Sequence, residues 1–519
     1  MADRTSYDEV IYDSQPRYPA HPDSMATMAT LLGLQPVSPA KCNYLEIGCA
    51  NGGHLLPLAE ALPDSQFVGI DQSEKQLESP RRVAAALGLK NVHFEVADLR
   101  NYALPQGSFD YVSAHGVYSW ITPEVREKLL ALVRRALAPQ GVAYISYNTY
   151  PGWYLRAGVR DLMIFHTRRI HDPNQRLSAA REMLEFTLKS QSPDSTWAAV
   201  LAEEADTVAK GPDYYVYHEH LEEHNGAVYF RDFIAQAQQH GLQYLGEAGK
   251  RYGADMLPPE MRRTLLDSST DLIEMEQYVD FLKNRSFRRT LLVPKEAVIR
   301  RETSIELVSA MCLSGLARPV NDNPDLHSPQ VAEEFRNEDE VAIETNKPVV
   351  KIALSLLHHM WPRAVPFNEM VNMIRDQMGQ DSPSPEDTAA ILAQSVVPLY
   401  LASLIGLHVH MPTFALSLTE RPRTTKLIAL QARTGARVIN RRHREVELLP
   451  QDRLIVGLID VDRSREALLD EATKLALAGA LEIKRGDQMI RDFKLVRQVI
   501  EAELEPIYQR LASAALLVD

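Results

Sequence analysis

Between Asn43 and Tyr147 short apolar runs alternate with amphipathic stretches. The runs are Asn43–Ile47, Gln66–Ile70, Val92–Val96, Phe109–Ala114 and Val142–Tyr147. Runs of five or six residues, rich in Val, Ile, Phe and Tyr, read as strands buried on both faces. The stretches between them predict helices at His54–Leu62, Gln76–Leu87 and Glu124–Ala136. Thr122 stands at the N-cap of the last, with Pro123 at its first position. Strands that alternate with helices demand a parallel sheet with helices on both faces, a Rossmann-like α/β fold.

After Tyr150 the strand signal gives way to helices at Leu155–Ile170, Gln175–Lys189 and Thr196–Lys210. Asp172-Pro173, Ser192-Pro193 and Gly211-Pro212 punctuate them. A helix at Arg231–His240 follows, then strand-like runs at Leu242–Glu247 and Thr290–Pro294. These two strands are expected to rejoin the first sheet, leaving the helices as an insertion over one edge. Further on, helices at Val349–Trp361, Phe367–Met378 and Glu386–Ser403 precede a strand at Leu407–Met411. This order reads as winged-helix-like, and Arg465–Leu477 and Gln488–Leu511 read as helical. The expected units are a core at 1–155, a helical insertion at 156–224, a return to the core at 225–298, and a mainly helical, winged-helix-like domain at 299–519.

The length, 519 residues, fits three to four domains at ~150 residues each. Apolar content of 45% and charged content of 24% are those of a soluble globular chain. Sixty-nine acids against 56 Lys and Arg give a net charge of −13, which disfavours a broad nucleic-acid footprint. Cys42, Cys49 and Cys312 have no metal-ligand spacing, and no apolar leader core is visible at the start. Both point to the cytoplasm. The uncharged stretch from Ala389 to Thr419 is broken by Pro398, Gly406 and several polar residues. It reads as a buried helix and strand, not as a membrane span.

The densest chemistry follows the first strand, in Tyr44-Leu45-Glu46-Ile47-Gly48-Cys49-Ala50-Asn51-Gly52-Gly53. Glycines there allow a tight turn and close backbone approach to a ligand, and the helix that follows offers free N–H groups. The segment lacks the Lys-Ser/Thr ending of a nucleoside triphosphate loop. Glu46 sets a carboxylate where a cationic ligand group would sit. Asp71, 23 residues past Gly48, ends the second strand and can accept from ribose hydroxyls. Asp98, after the third strand, can accept from an adenine amino group, with Leu99 against the ring. Any one of these acids is ordinarily a cap or a solvated loop residue. Three at the ends of successive strands mark a ligand site at the carboxyl edge of the sheet.

Glu46-x-Gly48-x-x-x-Gly52-Gly53, Asp71 and Asp98 together resemble a class I S-adenosylmethionine-dependent methyltransferase. The resemblance extends to Tyr7-Asp8-Glu9-Val10-x-Tyr12, Pro16-Arg17-Tyr18-Pro19-x-His21-Pro22, His115-Gly116-Val117-Tyr118-Ser119-Trp120 and the run Ser146–Trp153. It also covers Arg285–Val293 and Arg442–Val446. These segments are similar to a bacterial family that joins such a core to a methyltransferase regulatory domain, the rickettsial-type protein-lysine methyltransferases. The resemblance implies S-adenosyl-L-methionine as cofactor. Glu46, Gly48, Cys49, Ala50 and Gly52 would cradle its methionine part. Asp71, Gln72 and Ser73 would hold the ribose, and Asp98 and Leu99 the adenine. His115 and Gly116 would line the sulfonium side, and Tyr7 of the N-terminal arm would join the cofactor site. Tyr12, His115, Tyr118, Trp120, Tyr147 and Trp153 are the candidate catalytic residues around the acceptor.

The preferred acceptor is a lysine side chain of a polypeptide; a small molecule is the alternative, and a cofactor-binding module without turnover a third reading. The helical insertion is expected to cover the active-site mouth and offers a surface for a homodimer. Tyr214, Tyr215, Tyr217, His218, Glu219 and His220 arrive from that insertion. His218 and His220, two apart on a helix, diverge and do not make a metal pair. No metal is expected. Between Arg421 and Arg444 lie eight Lys or Arg residues and no acid. Such a run is more often a solvated linker or an intramolecular contact than a nucleic-acid surface.

Overall fold

The computed structural model describes residues 6–249, 257–301, 304–315, 317–416, 421–459, 461, 463–485 and 488–518. Seven strands form the central sheet: β1 Asn43–Ile47, β2 Gln66–Asp71, β3 Val92–Val96, β4 Phe109–Ala114, β5 Leu137–Asn148, β6 Leu242–Glu247 and β7 Phe287–Pro294. Their order is β3-β2-β1-β4-β5-β7-β6. The first five are parallel, and β7 runs antiparallel between β5 and β6. Leu242–Glu247 and Thr290–Pro294 thus rejoin the sheet as the alternation predicts. Strand β5 begins five residues earlier than the apolar run, because the helix Pro123–Ala136 passes straight into it.

Alternation along each strand sorts side chains onto two apolar faces. In β1, Tyr44 packs with Phe67, Leu55 and Met25 on one face. Leu45 and Ile47 pack with Val112, Leu129 and Phe233 on the other. The helix Phe230–Gln239 closes that second face with Phe230, Phe233, Ile234 and Ala237. That spacing forms one apolar stripe. Each of its larger side chains contributes about 1.5–3 kcal/mol on burial. At the antiparallel edge, Arg288 is fully buried and contacts Glu247 (2.9 Å), Glu276 (3.1 Å) and Asp280 (2.8 Å). Its guanidinium also lies 3.8 Å from the centre of the Phe230 ring. This network ties β6 and the helix Leu272–Lys283 to β7.

The helices Trp153–Thr167, Pro173–Lys189, Thr196–Lys210 and Asp213–Leu221 have an apolar core of their own, around Val159, Met163, Leu184 and Leu201. Beyond residue 304 there are two further apolar clusters. One gathers Pro348–His359, Phe367–Met378 and Pro385–Leu401 on a three-stranded sheet of Cys312–Gly315, Val365–Pro366 and Ile405–His408. The other gathers Lys426–Thr434, Pro450–Val456, Arg465–Leu475 and Phe493–Ser513. The last helix starts later than the pattern predicts. Gln488–Met489 pairs with Lys484–Arg485 as a short hairpin, and Asp492 caps the helix by accepting from the Leu495 N–H. Thr122 sits at the N-cap of Pro123–Ala136 but makes no side-chain capping bond. Among the described residues no helix is long and apolar enough to cross a membrane.

The hairpin of Arg437–Ile439 and Glu445–Glu447 drives its tip between the sheet and the first C-terminal cluster. At the tip, Arg442 donates to Pro362 O (2.7 Å) and Ser314 Oγ (3.0 Å). The next residue, His443, places Nε2 2.7 Å from Nδ1 of His54, immediately after the glycine turn.

Candidate active site

The turn after β1 is left-handed at Gly48, Ala50 and Gly52, with φ of 72°, 47° and 73°. At Gly48 a Cβ would lie 2.5 Å from Val117 Cγ2, so only glycine fits between β1 and the loop after β4. The Gly48 and Cys49 N–H groups donate to Ile70 O (2.8 and 3.1 Å), which fastens the turn to the end of β2. Asp71 accepts there from the Ala50 N–H through Oδ2 and from the Ser73 N–H through Oδ1, both at 3.0 Å. Burial raises its carboxyl pKa against these donors. Glu46 is buried, and its Oε2 has no hydrogen-bond partner. Burial, then the nearby Asp71, pushes its pKa well above the carboxylate range, while Arg17 opposes. An unpaired carboxyl oxygen beside a backbone cradle fits a ligand that carries an ammonium group.

The N-terminal arm closes over this turn. Ser14 Oγ accepts from the Gly53 N–H (2.8 Å) and donates to Asn51 Oδ1 (2.8 Å). Arg17 N–H donates to His54 Nδ1 (3.2 Å). Ser73 Oγ donates to Asp8 (2.6 Å), and Lys75 to the Asp8 carbonyl (2.6 Å). Tyr7 stacks on His218 with ring centres 4.3 Å apart. Tyr12 meets Tyr214 and His218 edge-on at 5.4 and 5.8 Å. His218 Nε2 reaches Val10 O (2.8 Å), and Glu222 accepts from Ser6 Oγ (2.6 Å). The helix Asp213–Leu221 and the arm therefore form one wall in front of Asp71.

Glu219 stands in that wall. Burial raises its pKa, opposed by Arg156. It lies close enough to Tyr7, Tyr12 and Tyr215 to push each phenol up further, although burial dominates for all three. Tyr12 reaches about 12. On the β4 side, His115 Nδ1 lies 2.9 Å from the Tyr144 hydroxyl, and its ring meets Phe287 edge-on at 6.1 Å. Burial, then Arg17 and Arg289, holds its pKa well below the ordinary value, so His115 is neutral. Gly116 N–H donates to Ser146 Oγ (2.9 Å).

Tyr7, Tyr12, Glu46, Gly48, Cys49, Ala50, Gly52, Asp71, Gln72, Ser73, His115 and Gly116 thus gather along one edge of the sheet. Tyr118 and Tyr147 do not open on it. Both are fully buried on the apolar face around Phe233. Tyr118 donates to Gln236, and the Tyr147 hydroxyl is 2.9 Å from Thr290 Oγ1. The pleat of β5 turns Tyr147 inward and the helical turn Tyr118–Trp120 buries Tyr118, so both depart from the expectation that they face an acceptor. Trp153 is also buried, under Arg156 at 5.2 Å from its ring centre. Trp120 is half-buried and donates to the His218 carbonyl (3.3 Å), so it braces the wall from behind. Asp98 is held by the exposed Arg100, with contacts of 2.7–3.0 Å to both oxygens. Arg17, Ser14 and Asn51 had no assigned role in the sequence. The Pro16–Pro19 motif contains Arg17, but only the folded-back arm brings it to Glu46.

Three family models match the chain: "Methyltransferase domain" over residues 45–141, "Predicted methyltransferase regulatory domain" over 212–294, and "PKMT, C-terminal winged helix domain" over 420–516. Uncharacterized protein RP028 of Rickettsia prowazekii is 36% identical over 243 residues, covering 47% of this chain and 97% of that protein. Uncharacterized protein RP789 of the same organism is 29% identical over 531 residues, covering all of this chain and 94% of its own. The structure of PKMT2 from Rickettsia typhi superposes with a TM-score of 0.86 at 26% identity, over 98% of this chain and 100% of that one. Its complex with AdoHcy gives 0.84 at 27% identity, with the same coverage.

Proposed function

Since the chain belongs to the class I S-adenosylmethionine-dependent methyltransferases that carry a methyltransferase regulatory domain and a rickettsial PKMT-type winged helix, we propose that its acceptor is a lysine side chain of a protein. S-adenosylmethionine supplies a methyl group already activated on a sulfonium. The protein must hold the cofactor and present a neutral nucleophile in line with that methyl. Glu46 takes the ammonium of the methionine part, and the Gly48–Gly52 backbone cradles its carboxylate end. Asp71 accepts from the ribose, with Gln72 and Ser73 beside it. Asp98 meets the adenine amino group only if Arg100 yields, and Leu99 packs near the ring. His115 and Gly116 border the sulfonium without adding charge.

A lysine with the ordinary pKa of ~10.4 is about 0.1% neutral near pH 7.4, a cost of about 4 kcal/mol. An acceptor site has to lower that cost by desolvation and by taking the proton. The observation that carries the reading is Glu219, a half-buried carboxylate set among Tyr7, Tyr12 and Tyr215, with its pKa raised by desolvation. Its base strength is matched to a proton from an ammonium better than an exposed carboxylate would be. Tyr12 and Tyr7 give the aromatic walls that hold a lysine stem and its methylated, cationic product.

Methyl-labelled S-adenosylmethionine incubated with the protein and an extract of its source cells tests this. We expect label in the macromolecular fraction, recovered as methyl-lysine after hydrolysis. Label confined to small molecules would sink the lysine reading in favour of a small-molecule acceptor.

A further inference from the structure

We propose that the hairpin tip at residues 440–444, with the two bodies it wedges between, forms a binding site for a phosphate-type oxyanion. A cavity of about 80 Å³ opens there, lined among others by Tyr18, Trp361, His410, Arg441, Arg442 and Arg444. A water needs ~10–15 Å³ by the same measure. The cavity therefore has room for several waters or one small tetrahedral anion, and not for a nucleic-acid strand. This accounts for the end of the basic run, which methyl transfer does not use.

Three arginines converge on the cavity, and among the described residues Asp23 is the one carboxylate in its lining. Asp23 is already engaged. Its Oδ1 accepts from the Val409 and His410 N–H groups, both at 2.9 Å. Its Oδ2 meets His408 Nδ1 at 2.8 Å and the Tyr18 hydroxyl at 3.2 Å. Arg442 is buried, and among the described residues its guanidinium has only neutral or imidazole hydrogen-bond partners: Pro362 O, Ser314 Oγ and His408 Nε2. Its Nε is buried with no partner at all. Trp361 covers the guanidinium, 4.4 Å from the ring centre.

Among the described residues the Arg441 side chain donates only to Thr413, at 3.0 and 3.1 Å, with Glu60 nearby. Glu60 instead accepts from the Leu427 N–H at 2.9 Å. Arg444 is exposed at the mouth, 6.0 Å from the Tyr18 ring centre. Arg442 senses Asp23 across His408 but has no carboxylate among its hydrogen-bond partners, and a bound oxyanion offsets the cost of burying its guanidinium. The planar fork of arginine matches two oxygens of a phosphate, and a second and third arginine complete the shell.

The test uses the full chain saturated with S-adenosylhomocysteine, so that the cofactor site is closed. Inorganic phosphate is titrated calorimetrically at constant ionic strength, with chloride as the replaced anion. One saturable site per chain is expected. The Arg441→Gln/Arg444→Gln double variant, changed at two positions that reach solvent, should bind at least tenfold more weakly with an unchanged melting temperature. Arg442→Lys keeps the charge but loses the fork, and should fall between the two. Phenyl phosphate distinguishes the source: tighter binding than inorganic phosphate points to a phosphomonoester ligand, equal or weaker binding to the free oxyanion. Absence of saturable phosphate binding, or equal affinity in the folded double variant, overturns the proposal.

Discussion

Glu46 and Glu219 are both carboxylates raised by burial, but the proposed reaction gives them different tasks. In the unliganded protein the folded-state pKa of Glu46 lies above its unfolded value. Stability is therefore lost as pH rises from the ordinary carboxyl range toward the raised pKa. An ammonium placed against Oε2 reverses the shift and expels the proton. Cofactor binding should thus release a proton and tighten with rising pH through that pKa, seen as buffer-dependent heats in calorimetry. Glu46→Gln should abolish the dependence and weaken binding by ~10- to 100-fold, the worth of one charge-assisted hydrogen bond. Glu219→Gln should leave cofactor affinity within about twofold. Turnover should fall ~10²- to 10⁴-fold, the range for losing a general base, and the rising limb of the pH–rate profile should vanish. An unchanged profile would remove Glu219 from the proton path. Glu46 and Asp71 were legible in the sequence because they stand at fixed offsets from a glycine turn. Glu219 was visible only as one of a group of polar and aromatic residues. Its surroundings include Tyr7 and Tyr12 of an arm that lies about 200 residues earlier in the chain.

The glycine turn and the arm are two elements that fit one way. A Cβ on Gly53 would overlap the Ser14 carbonyl oxygen, which is backbone and cannot swing aside. Gly53→Ala should therefore lift the arm while leaving the sheet intact. Trypsin should then cut after Arg17 in the variant under conditions where the parent resists, and cofactor affinity should fall with it. Persistent protection would show that the arm has a second anchor strong enough to hold it, such as the contact of Ser73 with Asp8. The sheet itself followed from periodicity. Runs buried on both faces, with helices between them, leave little choice of layer arrangement. The inward turn of Tyr118 and Tyr147 was not legible, because an aromatic residue near a strand end packs inward or opens onto a pocket with the same local pattern.

Across the whole molecule, the hairpin tip joins the C-terminal part to the glycine turn through histidines. His443 and His54 are buried and His21 is half-buried, and desolvation is the first cause that lowers each pKa, to about 3 for His54 and about 4 for His21. Each is neutral when folded, whereas the unfolded chain protonates near pH 6.5. The stability these groups contribute is therefore complete above that pH and is lost as pH falls from 6.5 toward 4. The loss is up to ~1.4 kcal/mol per unit for each histidine. Amide exchange at Lys426–Thr434 and in the hairpin should accelerate over this window before the central sheet responds. A His54→Asn/His443→Asn double variant should flatten that response. Uniform acceleration across the chain would show that these histidines do not set the acid sensitivity of this junction. The amino-acid order alone determined the sheet, the glycine turn and the acids that follow its strands, since each depends on residues close in sequence and on side-chain period. Tertiary structure alone decided that the charge of Arg17 comes near Glu46, that Glu219 is desolvated, and that the basic run ends in a cavity. Those contacts join segments up to 390 residues apart, and burial, which sets their charge and chemistry, belongs to the packed molecule.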